Sequence, residues 1–361
     1  FAARNRAVDR PLFSYVSIVL MAAIAPTLIN IKIGIGENID TYLIWQNAQI
    51  FTRDGHYYGS RSWGFPLYEL FAYPLLAWIG PMAAKIYSLF WFILSLGFVY
   101  LLLLTEGVSK RRAWLGVLAF AWLPCAVISG NTVMETAQSV ALGLLTLFAV
   151  RTYIKTKRDH HLALAFVASG LAMATRPCHV ISYFSFIAVL LVHRFVSWKK
   201  IATFGALGAL VGIAPYLLIY HSSPWHHGIQ ITFTGDPIWI RGVKLAIGFA
   251  AVLGLPAWMV IVGGVFSRRQ GALPLLKSPW GSFFALVSAL YFVRMFLLPD
   301  ETEYIYFWAA FTTVFFFARF SNTAWAYAML AAVLLPNLVQ IHFFDRKSDG
   351  SIQVSPGLSP G

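Results

Sequence analysis

Residues 36–69 read GENIDTYLIWQNAQIFTRDGHYYGSRSWGFPLYE, a polar island between long apolar segments. Within it Ile44, Ala48 and Phe51, flanked by Leu43 and Ile50, form an apolar stripe at helical spacing, while Gln46, Gln49 and Arg53 fall on the opposite side. Such a pattern predicts an amphipathic helix lying flat on a membrane surface, with Asp40 at its start. On either side, Pro11 to Ile31 and Met82 to Leu104 are long and apolar enough to cross a bilayer.

The same character runs along the whole chain. With 59% hydrophobic residues, 11% charged residues and a mean hydropathy of +0.69, the composition excludes an ordinary soluble domain. Ile201 to Tyr220 and Thr323 to Ile341 are further examples of spanning segments, and about eleven are expected in all. The fold expected is therefore an all-α polytopic membrane protein, one transmembrane domain over 1–344.

The net charge of +13 is not a nucleic-acid footprint, because the basic residues sit in short clusters between spans. Arg4, Arg6 and Arg10, then Lys110 to Arg112, Arg151 to Arg158, Arg194 to Lys200 and Arg268 to Lys277 all become cytoplasmic by the positive-inside rule. Their parity is consistent if Phe65 to Gly80 does not cross. That stretch is short and interrupted by Pro66, Glu69 and Pro74, so it reads as a re-entrant or interfacial helix within a first outer loop of 32–80. The other outer segments are then 129–134, the turn at Arg176, 221–244 and 298–304.

Cys125 and Cys178 fall in or beside apolar spans, where small buried thiols are common, and suggest neither a disulfide nor a metal motif. Because the chain begins at Phe1 rather than Met, the true start is taken to lie upstream and a signal peptide is not judged. Residues 345–361 are rich in Ser, Pro, Gly and charge and read as a disordered tail or an expression scar.

The outer segments hold nearly all the polar chemistry. Asp40 is either the cap of its helix or a general base placed between a lipid-borne donor and a watery acceptor site. Glu135, in SGNTVMETAQSVALGLL (129–145), is either half of a capping box with Thr132 or a second carboxylate orienting an acceptor hydroxyl or ammonium. Arg176, in MATRPCHV (173–180), breaks the positive-inside rule, and its guanidinium suits a bidentate grip on phosphate. His179 lies one turn away, and Arg294 and Arg241 are further outward cations; head-group anchors, partners of acidic loop residues and, for His179, a hydrogen-bonded core position are the alternatives.

In LLPDETEYIYFWAAF (297–311), Asp300, Glu301 and Glu303 could bind a cation or a sugar, or be a plain solvated loop. Tyr304, Tyr306 and Trp308 suit an interfacial aromatic belt. His221, His226, His227 and Asp236 match no closed zinc pattern, and their aromatic loop better covers a substrate cavity.

IDTYLIWQNAQIFTRDG (39–55) followed by WGFPLYELFAYPLLAWIG (63–80), the Glu135 segment, MATRP and the late acidic loop, taken in order, resemble the GT-C superfamily of integral-membrane glycosyltransferases. That class includes protein mannosyltransferases, aminoarabinose transferases and related polyprenyl-phosphate sugar enzymes. Asp40 takes the family's catalytic acidic position, with Thr41 where a second acid often stands. The resemblance implies a polyprenyl-phosphate sugar donor, with its phosphate held by Arg176 or Arg294, and polar contacts from the late loop. It implies a glycan, lipid or protein acceptor deprotonated by Asp40, a single inverting displacement, and an active site on the periplasmic face of a bacterial inner membrane or its lumenal equivalent. No cofactor is fixed by it, and a divalent metal ion stays open.

Three rivals remain. A transporter or lipid-linked saccharide flippase would place charged or helix-breaking features near the bilayer midplane rather than at one mouth. A structural subunit would tolerate Asp40→Asn. An O-antigen polymerase or ligase would rely on arginines and a large late outer loop.

Overall fold

The computed structural model describes residues 20–25, 39–55, 57–60, 65–220, 237–267, 278–297, 305–319, 322–346 and 352–360. Fourteen helices follow the short helical piece 20–25: α1 (Ile39–Asp54), α2 (Pro66–Pro74), α3 (Pro81–Thr105), α4 (Lys110–Ala121), α5 (Pro124–Asn131), α6 (Thr136–Thr156) and α7 (Asp159–Thr175). They continue with α8 (Val180–Val192), α9 (Trp198–Tyr220), α10 (Ile238–Leu253), α11 (Leu255–Phe266), α12 (Pro279–Leu297), α13 (Tyr306–Arg319) and α14 (Thr323–Leu338). A π-helical turn, Leu75–Ile79, prolongs α2, and a 3-10 turn, Pro177–His179, joins α7 to α8.

Among the described residues α3, α6, α9 and α12 are each long and apolar enough to cross a membrane. Two bent pairs, α4 with α5 and α10 with α11, bring the number to six if each counts as one span. The eleven segments read from apolar length thus include helices shorter than a bilayer needs, as well as Pro11 to Ile31, most of which lies outside the described residues. The chain is a predominantly helical integral membrane protein, with Phe90, Leu210, Ile213, Leu217, Ile247 and Phe266 exposed on an apolar exterior.

Two helices form the centre. α6 is buried almost throughout its first four turns, and α13 is buried from Tyr306 to Phe317. Around them, α3 packs on α4 and α6, and α7 is clasped between α6 and α9. The α7–α9 crossing is close because glycines face each other: a Cβ on Gly170 would lie 2.2 Å from the Gly208 carbonyl oxygen. In lipid, where apolar faces gain nothing from leaving water, such close backbone approach supplies dispersion contact.

The amphipathic helix expected from 43–53 is α1, with Ile44 and Ala48 buried and Gln46, Gln49 and Arg53 exposed. The stretch 65–80 is a broken helix, as its prolines dictate: Pro66 opens it at the first turn, and the π turn ends at Gly80, whose φ of 110° only glycine adopts readily. Trp78 and Ile79 project outward at its end.

One reading is corrected. Tyr306 and Trp308 form no aromatic belt; both are buried, and Trp308 Nε1 donates to Ser288 Oγ at 2.9 Å while its ring packs on Phe249 and Trp258. Aromatic rings in α13 face neighbouring helices, because that helix is enclosed on all sides. At the C-terminus, where composition reads as unstructured, Val339–Arg346 and Ile352–Pro360 pair as antiparallel strands, β1 and β2, through backbone hydrogen bonds.

Candidate functional site

The two ends of the bundle differ sharply. At one end lie the basic connections after α3, α6 and α8; at the other, α2, the start of α6 and the end of α7 converge. α1 and α2 are stitched to the segment between them by Asn47 Nδ2 donating to Gly59 O (3.1 Å) and Tyr73 Oη donating to Tyr58 O (2.7 Å). Tyr57 stacks on Tyr73 with ring centroids 5.6 Å apart.

Glu69 holds this module shut. Its fully buried carboxylate accepts Ser60 N–H (2.9 Å) and the Ser60 hydroxyl on Oε1, and Phe65 N–H (3.0 Å) and the Tyr57 hydroxyl on Oε2. Reaching back to the helix-capping amide of Phe65, it sits where the α2 dipole favours negative charge. Burial nevertheless pushes its carboxyl above the ordinary range, against the four donors that favour the ionised form. Burial and the neighbouring carboxylate likewise raise the Tyr57 phenol.

Beside this module lies an ion pair. Arg176 Nε meets Glu135 Oε1 at 2.7 Å, with side chains 1% and 0% exposed. Both positions follow from local sequence: Glu135 precedes α6, and Arg176 ends α7 because the residue before Pro177 is driven into extended backbone (φ −146°, ψ 116°). The capping box expected for Thr132 and Glu135 does not form. Thr132 Oγ1 donates to Ile128 O at 3.0 Å, and the Glu135 carboxylate turns to the guanidinium, the stronger partner when buried. Glu135 Oε2 and Thr136 Oγ1 are buried with no hydrogen-bond partner among the described residues.

Around the pair the site closes in. The Arg176 guanidinium lies 5.8 Å from the Phe65 ring centre, which ties the pair to the Glu69 module. His179 is buried with its ring 5.0 Å from that of Phe307, and Gly143 on α6 leaves just the room both rings need. Cys178 is buried within electrostatic reach of Arg176, Arg294 and Glu135. Tyr68 shares a hydrogen bond with Ser88 on α3 at 3.1 Å. One turn before Ser88 on the same face, Lys85 is only 3% exposed.

Glu135, Arg176, His179 and Arg294 are thus brought to one mouth. Arg241 stands half-buried in the first turn of α10. Asp40 lies in the first turn of α1, and its side chain is outside the described residues, as are Asp300, Glu301, Glu303, Tyr304, His221, His226, His227 and Asp236. Among the described residues no three His, Cys, Asp or Glu side chains cluster as metal ligands, and both cysteines are free and buried.

Two residues escaped sequence reasoning. Glu69 registered only as an interruption of an apolar run, although it is the one acid between Asp54 and Glu106. Lys85 carries the signal that marked Arg176, a cation at the end of a span opposite the basic clusters, but it is masked by the apolar residues around it.

No family model and no curated protein matches the sequence. Among solved structures, the chain is similar to ArnT from Cupriavidus metallidurans bound to undecaprenyl phosphate, with a TM-score of 0.61, 13% identity, and coverage of 89% of this chain and 63% of that one. ArnT from the same organism in the apo state gives 0.57, 14%, 89% and 63%. The archaeal oligosaccharyltransferase AglB from Archaeoglobus fulgidus, in complex with an inhibitory peptide and a dolichol-phosphate, aligns at a TM-score of 0.42, 15% identity, 91% of this chain and 50% of that one, too loosely to argue from. This chain therefore spans less than two thirds of the ArnT chain it matches. At these identities the likeness is one of fold alone: the helices of this chain are arranged as in ArnT.

Proposed function

We propose that this protein is a GT-C type glycosyltransferase that moves a sugar from a polyprenyl-phosphate donor to an acceptor at the membrane face opposite its basic loops. The observation that carries the reading is the buried polar mouth formed by Glu69, Lys85, Glu135, Arg176 and His179 on a bundle with the fold of ArnT. Ionisable groups facing a bundle interior are costly in lipid and are kept where they act.

In this reading Asp40, at the start of the surface helix, takes the proton of an acceptor hydroxyl as it attacks the anomeric carbon. The lipid phosphate leaves, and one displacement at one centre inverts the configuration. Lys85 and Arg294 offer positive charge to the phosphate. The structure turns Arg176 toward Glu135, so its part is to hold that carboxylate in place, leaving Glu135 Oε2 to accept a hydrogen bond from the sugar or the acceptor. The face bearing this site is periplasmic in a bacterial inner membrane by the positive-inside rule. The acceptor is a glycan, lipid or protein.

The test is transfer of radiolabelled sugar from a panel of polyprenyl-phosphate donors by wild type and Asp40→Asn in nanodiscs, with folding checked in parallel. Transfer that collapses in the folded variant supports both the class and the base. Equal transfer by both removes Asp40 from the chemistry, and no transfer from any donor by wild type rejects the enzyme reading.

A further inference from the structure

At the basic end, one carboxylate joins three helices. Glu106 follows directly on α3, and its side chain is 1% exposed. Its Oε1 receives Arg151 Nε from α6, and its Oε2 receives Arg319 Nη2 from the last residue of α13 at 2.9 Å. Lys155 Nζ donates to the carbonyl of Thr105 beside it, and the Arg151 guanidinium lies 5.0 Å from the centre of the Trp280 ring.

These three helices also carry the opposite mouth. Lys85 and Ser88 lie at the far end of α3, Glu135 at the far end of α6, and Phe307, which packs on His179, at the far end of α13. At 1.5 Å per residue, Lys85 is about 30 Å from Glu106 along α3, Glu135 about 24 Å from Arg151, and Phe307 about 18 Å from Arg319. Apolar faces in lipid resist sliding weakly, so polar ties and tight contacts set the relative height of such helices. The packing near Glu106 is tight: a Cβ on Gly116 of α4 would meet Leu103 of α3 at 2.5 Å and Phe317 of α13 at 3.3 Å.

We infer that Glu106 is a positioning residue that fixes the register of α3, α6 and α13, and through them the geometry of the opposite mouth. The consequence for transfer rests on the reading of that mouth under Proposed function; the consequence for helix register does not. Removing the carboxylate charge leaves two guanidiniums facing each other, and their repulsion drives α6 and α13 apart at this end.

The experiment is pulsed electron-electron resonance on the full chain in nanodiscs, in wild type and Glu106→Gln backgrounds. Spin labels at Met82 and Ile128, both 50% exposed, report the separation of α3 from the segment leading into Glu135. Labels at Leu101 and Thr156, both exposed, report the basic end. The expected result is a shifted or widened distribution at both pairs. A change confined to Leu101 and Thr156 makes Glu106 a local tie and overturns the inference, and unchanged distributions at both pairs overturn it equally. If Glu106→Gln does not fold, Arg319→Lys keeps the charge but withdraws the Nη2 contact; it is expected to widen the Met82–Ile128 distribution, and a wild-type distribution there is the refuting result. No transfer is needed to read these distances, so an inactive wild type rejects the enzyme reading without touching this one.

Discussion

Replacing Glu69 by Gln tests whether the first outer loop is held by a charge-accepting clamp. Each carboxylate oxygen receives one backbone N–H, from Ser60 at 2.9 Å and from Phe65 at 3.0 Å. A glutamine amide has one oxygen, so whichever way it turns, its NH2 faces one of these amides, and two donors oppose each other in a buried site. The Tyr57 hydroxyl can rotate to accept, but a backbone N–H cannot. One orphaned buried donor costs about 1–3 kcal/mol. Because every 1.4 kcal/mol is tenfold, local opening of the loop becomes more frequent by about 5- to 140-fold.

Hydrogen exchange at the Ser60 and Phe65 amides reads this directly, since such amides exchange through local opening. Protection there is expected to fall by that factor, while amides in α6 and α13 keep theirs. Unchanged protection at both would refute the clamp. The pH dependence gives a second sign. Burial raises the Glu69 carboxyl, so from the ordinary carboxylate range up to its folded value the folded state holds a proton that the unfolded state has lost. Stability therefore falls as pH rises through that window, and Glu69→Gln removes this slope.

Further outcomes follow from the same geometry. Glu135→Gln withdraws the carboxylate charge that the buried Arg176 guanidinium faces and is expected to lower stability by about 3–5 kcal/mol, read by thermal unfolding in detergent; a loss below about 1 kcal/mol would refute a strong contribution from this pair. Gly143→Ala places a methyl 2.6 Å from the Phe307 ring and 3.0 Å from His179, and is expected to cost about 1–3 kcal/mol and, under the proposed function, to reduce transfer; wild-type activity and melting would show that the two rings yield freely. Gly170→Ala pushes a Cβ into the Gly208 carbonyl, which no rotamer relieves, and a melting temperature equal to wild type would contradict the α7–α9 crossing.

How far the sequence reaches is clearest in the first outer loop. The period of Ile44, Ala48 and Phe51 specifies α1, and Pro66, Pro74 and Gly80 specify a broken helix, because these signals act within one or two turns of chain. The helical membrane fold was legible for the same reason: composition and span length are local sums. The pairing of Glu135 with Arg176 was not legible, because 41 residues separate them and a capping box with Thr132 was the nearer option. Glu69 and Lys85 were passed over because a single ionisable residue in an apolar run has no meaning until the helices around it are placed. Tyr306 and Trp308 suit a membrane interface equally well on paper, and only the enclosure of α13 by its neighbours decides that they are core. Spacing along the chain chooses the elements; which partner a buried charge finds depends on the three-dimensional crowding that shuts water out.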